Sequence, residues 1–221
     1  MAVPDQPPRV TEFRRALRAG VALYDAGEFH AAHDPWEAVW LPLEGGSDDE
    51  RLLHGLVQLT AAVHHARNRN WSGAVGLAGS ALGYLDSLPG EYRGIDLATV
   101  RPFLRALERD PERIERAPPV PLTHEGEVLA YPDLELDAAA VAAEVLAEEY
   151  GFDEGVLADA IDYAREERGT GRSRFAAMLY DFLAGEPTRA FVFDRLEGHV
   201  ERKRREAEDV AGLFEERDVD G

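Results

Sequence analysis

The chain has no cysteine, one lysine (Lys203) and two methionines in 221 residues. Without cysteine there is no disulfide framework, no thiolate metal site and no cysteine nucleophile. No apolar run approaches the roughly 20 residues that cross a bilayer, which excludes an integral membrane protein. The opening residues lack the basic start and apolar stretch of a signal peptide, so the expected location is cytoplasmic. Basic charge is scarce: 24 Lys and Arg face 43 Asp and Glu, a formal net charge of −19. That balance argues against nucleic-acid binding, which requires a basic face. Arginine almost without lysine, beside excess carboxylate, reads as adaptation to molar salt, where screening removes self-repulsion. The alternative is an acidic protein that binds basic partners.

What is present is helical patterning. Hydrophobic residues make up 45% of the chain, enough for one sizeable core. Residues 1–8 read as a disordered lead. Phe13, Leu17, Val21 and Tyr24 step at helical spacing through a first helix, 9–26, that Gly27 closes. A second is expected over 28–41. Ser47 with Glu50 is a capping-box signature opening a third, to about Arg67. A fourth spans 71–88. Its Gly73, Gly76, Gly79 and Gly83 each weaken it by roughly 1 kcal/mol, which predicts a close backbone approach to a neighbour. Asp96 caps a fifth, to about Arg109. Residues 117–136, with Pro118, Pro119 and Pro121, read as a Pro-rich linker holding a short extended hairpin. Helices resume over 137–150, 154–168, 172–184 and 187–214, with Gly151, Gly169 and Gly185 as stops. The expected architecture is all-α, an antiparallel multi-helix bundle over 9–116 with a C-terminal helical segment over 137–221. There is no internal repeat, phosphate-binding glycine loop, dinucleotide fingerprint or Gly-x-Ser-x-Gly elbow. Gly169-Thr170-Gly171 is a short loop without such context.

Polar groups on apolar helical stripes need partners, and they gather on the second and third helices. His30, His33 and Glu37 share a face at spacings of three and four. On the third helix His54, Gln58, Ala61 and His65 share a face, and His64 lies about 100° from His65. Only one of His64 and His65 can therefore point squarely at the second helix. If that one meets His33 and Glu37, two nitrogens and a carboxylate converge as in a catalytic zinc site, with manganese or iron also suited. Asp34 is then the candidate general base or supporting partner. The competing reading is a His/carboxylate network that fixes helix register, with Asp34, Pro35 and Glu37 marking a helix restart. His30, His33, Trp36, Glu37, Trp40 and Gln58 are the candidate ligand-binding residues in either case. Arg202 to Arg205 form the only dense basic run, which flanking Glu201, Glu206, Glu208 and Asp209 make a solvated charged face. His124 and His199 are isolated and read as surface residues.

Gly27, Phe29, Ala32, His33, Asp34, Glu37 and Trp40 are followed by Gly55, Leu56, Val57, Gln58, Leu59, Ala61, Ala62, His64 and His65, then Gly73 and Ala74. From Asp25 to about Leu85 this resembles the family catalogued as domain of unknown function 309. Its hallmark is Gly, an aromatic, then Ala-His-Glu-x-x-Glu-x-x-Trp, and later Gly-Leu-Ile-Gln with a downstream His. Asp34 stands where that pattern has Glu, and Pro35 is expected to kink the second helix. The resemblance implies a compact helical domain and no reaction. The expected function is a non-enzymatic interaction module, pairing with itself or another protein; the alternative is a metal-dependent, hydrolase-like enzyme.

Overall fold

The computed structural model describes residues 8–169, 173–185 and 188–218. Seven of the eight positions of the expected lead, and residues 170–172 and 186–187 at two expected helix junctions, lie outside them. The described residues hold nine α-helices, two short 3-10 helices (Pro111–Glu115 and Tyr131–Asp133) and one small sheet. The fold is all-α, as the sequence predicts. The chain divides into two compact units, 1–145 and 146–221, and the division falls inside helix α6 (Leu136–Tyr150).

In the first unit, α1 (Pro8–Asp25) ends where Gly27 takes a positive φ of 90°. The N–H groups of Gly27 and Glu28 return to the Tyr24 and Leu23 carbonyls, which satisfies the last turn. Helix α2 (His33–Trp40) is shorter than expected: residues 29–32 are turns, and Ala32 is the N-cap without a side-chain bond. This overturns the expected kink. Pro35 falls in the first helical turn, where its missing N–H has no intrahelical acceptor to lose. Helix α3 (Asp48–Arg67) starts at Ser47, whose hydroxyl accepts from the Glu50 N–H at 3.3 Å.

Helix α4 (Trp71–Leu85) packs along α3 and α5 (Leu97–Arg109), burying Ala74, Ala78 and Ala81. The expected close approach forms at two of its four glycines, and against side chains: a Cβ at Gly73 would lie 2.9 Å from His65 of α3, and one at Gly79 3.0 Å from Glu108 of α5. Gly76 and Gly83 face outward, with nothing within 4 Å of an added Cβ. The tightest approach is at Gly55 of α3, where a Cβ would lie 2.5 Å from the Leu85 side chain. The α3–α4 contact thus uses an α3 glycine together with Gly73 and the alanines of α4.

Two tight hairpins make the four-stranded antiparallel sheet, β1 (Glu91–Tyr92), β2 (Ile95–Asp96), β3 (Thr123–His124) and β4 (Glu127–Val128). Each has a two-residue loop with both φ values positive, Arg93-Gly94 and Glu125-Gly126, the turn geometry that matches strand twist. Residues 117–136, expected as a linker, hold the second hairpin and lie against α1. Leu122, Leu129 and Leu134 are buried, and the Tyr24 hydroxyl donates to the Val120 carbonyl at 2.9 Å.

In the second unit, α7 (Glu154–Glu166), α8 (Arg174–Leu183) and α9 (Arg189–Asp218) pack on one another. Phe152, Phe182 and Phe193 form its aromatic centre, with ring centroids 4.8–6.0 Å apart.

Candidate functional site

Trp36 anchors α2. Its ring is fully buried against Gly20 of α1, where a Cβ would come within 2.3 Å of the indole, and its Nε1 donates to the Leu17 carbonyl at 3.3 Å. With α2 fixed at that point, its two ends present rings to opposite ends of α3. At the C-terminal end Trp40 lies 4.2 Å from His54, centroid to centroid. Tyr84 of α4 stacks on the other face of His54 at 4.0 Å and 25°. The His54 Nδ1 is 3.1 Å from Glu50 Oε1, one turn earlier on α3, and both side chains are largely buried. His54 is therefore held by three elements at once.

At the N-terminal end three histidines meet. The His30 ring is 5.7 Å from both His33 and His64. His30 is exposed, His33 and His64 are half-buried, and the His33 Nε2 is a buried atom. Of the two adjacent histidines His64 is the one that meets this group, its ring nearly perpendicular to that of His65 at 85°. Asn68 Nδ2 donates to His64 Nε2 at 3.0 Å, while Asn70 Nδ2 donates to His65 Nδ1 at 2.7 Å. Asn70 is also the N-cap of α4, its Oδ1 accepting from the Gly73 N–H. An imidazole nitrogen that accepts a hydrogen bond has its lone pair occupied, and that lone pair is what a metal needs. Glu37 is exposed on α2, Asp34 sits in its first turn, where the helix dipole favours an acid, and Gln58 is half-buried. Among the described residues no three His, Asp or Glu side chains are placed to hold a metal ion.

A second polar cluster, missed by the sequence reading, centres on His124. Expected at the surface, it is 2% exposed. Burial first, then the neighbouring Arg18 and Arg14, lower its pKa, against the opposing pull of Glu125. Buried Arg18 donates through Nη1 to His124 Nδ1 at 3.3 Å and through Nη2 to the Asp133 carbonyl at 2.8 Å. The imidazole is thus neutral with its proton on Nε2. Arg14 pairs with Glu125 at 2.7 Å, and Arg93 with Asp49, which also accepts from the Tyr92 hydroxyl. The three guanidiniums and His124 pin both hairpins to α1 and α3 around a cavity of about 210 Å³ floored by Phe13 and Leu17. Nothing local marks this role: Arg18 and His124 are 106 positions apart. The residues Glu125-Gly126 after His124 are the one sequence cue, a tight-turn signal that places it in a hairpin.

Among the described residues no helix is long and apolar enough to cross a membrane. No curated protein matches the chain. Residues 17–77, from mid-α1 into α4, match the family described as domain of unknown function (DUF309), and this segment carries Trp36, Trp40 and the five histidines His30, His33, His54, His64 and His65.

Proposed function

We propose that the protein is a non-enzymatic helical interaction module in which the seam of α2 with α3 fixes helix register. The observation that carries this reading is the engagement of the seam's imidazoles. His54 is stacked on two sides and paired with Glu50, while His64 and His65 accept from Asn68 and Asn70. Groups engaged in this way specify one packing rather than await a substrate. Support for a protein partner comes from the end of α2. Leu41 is 76% exposed there, beside a cavity of about 260 Å³ lined by Phe13, Ala38, Val39, Pro42 and Leu43 with Glu12.

A divalent-metal site is the second reading, favoured by the approach of His30, His33 and His64 to one another. It requires His64 Nε2 to release Asn68 and the exposed His30 to turn inward. Zinc, manganese and iron suit such nitrogen donors, and Asp34 stands close enough in sequence to His33 to serve as base or support. Elemental analysis of untagged protein purified without chelator separates the two. The module reading expects no stoichiometric metal, and a melting temperature lowered by several degrees in His54→Ala. Near-stoichiometric zinc, manganese or iron that vanishes in His33→Ala would overturn it in favour of the metal site.

A further inference from the structure

The second unit carries a concave basic patch in a chain whose net charge is −19. The run Arg202 to Arg205 is solvated, as its flanking carboxylates suggested, but its side chains diverge. Arg204 turns to Asp159 of α7, and Arg205 to Glu201 on its own helix. Arg202 and Lys203 instead line a cavity of about 350 Å³, with His199 and Glu206 on the same face of α9 and Arg174 and Phe175 from the start of α8. Among the described residues, Arg174, Arg202 and Lys203 make no ion pair; Lys203 lies over the Tyr163 ring, 5.8 Å from its centroid. His199, expected at the surface, is half-buried, and burial followed by Arg174, Arg202 and Arg195 lowers its pKa. Two carboxylates, Glu167 and Glu206, line the same cavity. Glu167 also accepts from the Ser173 hydroxyl at 2.8 Å.

Three cations against two carboxylates leave this concavity with one positive charge in excess, which a small anion would offset. With excess carboxylate over the chain, a long polyanion meets repulsion outside the cavity. A small anion experiences only the charges within about 10 Å at 0.1 M salt. Two guanidinium forks and an ammonium suit a phosphate, which takes paired N–H donors on several oxygens. Phe175, 6% exposed, is the one apolar side chain among the lining residues and offers an edge to an organic group.

We propose that this cavity binds a small phosphomonoester, with Arg174, Arg202 and Lys203 on the phosphate and Phe175 against the organic group. Isothermal titration of the full chain with phenyl phosphate tests it, at the lowest KCl concentration at which circular dichroism reports the native fold. One-to-one binding is expected, at least tenfold weaker in Arg174→Gln/Arg202→Gln, unchanged in Arg205→Gln, and weaker for inorganic phosphate than for phenyl phosphate. Both substituted arginines of the double variant are exposed, so its dichroism spectrum should match that of the parent. Absence of binding by the parent would overturn the proposal, as would an equal loss in Arg205→Gln, which would mean a diffuse charge effect. Tighter binding of a single-stranded 20-mer through the same arginines would overturn it in favour of a nucleic-acid surface.

Discussion

Asp25 shows how one side chain ties distant segments together and what that costs. Its Oδ1 accepts from the Leu122 N–H at 2.8 Å, while its Oδ2 is buried without a hydrogen-bond partner, so the last residue of α1 holds the segment carrying the second hairpin. Burial pushes its pKa from 3.8 to about 7, outweighing the nearby Leu122 and Leu129 N–H groups, which lower it. A folded-state value above the unfolded one means that the folded chain holds an extra proton between pH 3.8 and about 7. This contribution to stability is full below about pH 4 and is lost as the pH rises through 7. Asp25→Asn keeps an acceptor oxygen and removes the ionisation. At pH 8 it should stabilise the protein by roughly 1–2 kcal/mol, less than full linkage gives because the group is part exposed, and raise Tm by about 2–6 °C. At pH 4 the two proteins should melt together. A variant equally stabilised at both pH values would show that the carboxylate charge is not the cause. His124 gives the converse lesson: isolated in sequence, it is buried by Arg18, which only the tertiary fold brings to it.

The helices of this protein were legible because each carries its own signals. Ser47, Asp96, Asp153 and Ser173 all accept from the N–H three residues on, and Gly27, Gly151, Gly169 and Gly185 all take positive φ near helix ends. The two hairpins were harder to read, since strands of two residues have no periodicity, and the one around Arg93-Gly94 was not anticipated. At the candidate site the divergence of His64 and His65 followed from helix geometry. The His54 sandwich did not, because Tyr84 reaches it only through the packing of α4 on α3. The glycines of α4 show the same limit: composition reveals bulk that is missing, not the face from which it is missing. Gly76 is exposed with open space around it, so Gly76→Ala should stabilise the protein by about 0.5–1 kcal/mol through helix propensity and a less mobile unfolded chain. Gly55→Ala, which drives a methyl into Leu85, should instead destabilise it. Chemical denaturation of the two variants measures both signs, and a destabilising Gly76→Ala would mean that this face is covered in solution.

At the scale of the whole molecule two electrostatic effects oppose each other, and salt separates them. The ion pairs Arg14–Glu125, Arg93–Asp49 and Arg18–Glu135 hold the hairpins and α6's leading segment to the helices, and screening weakens such pairs. The excess of acidic over basic residues acts the other way, since 43 carboxylates cannot all be matched by 24 cations. Pairs that are partly exposed contribute at most about 1 kcal/mol each, whereas repulsion among the unmatched carboxylates acts over the whole surface within a screening length of about 10 Å at 0.1 M. The second effect should win: Tm should rise by at least about 5 °C between 0.1 M and 2 M KCl at pH 7.5. Molar salt also acts on apolar burial, so the comparison is repeated near pH 4.5, close to the isoelectric point of about 4.7, where the net charge is small. There the rise should shrink to less than half. A Tm that falls with KCl at pH 7.5 would mean that the arginine pairs outweigh the repulsion, and the acidic composition would then be explained by basic partners rather than by life in strong salt.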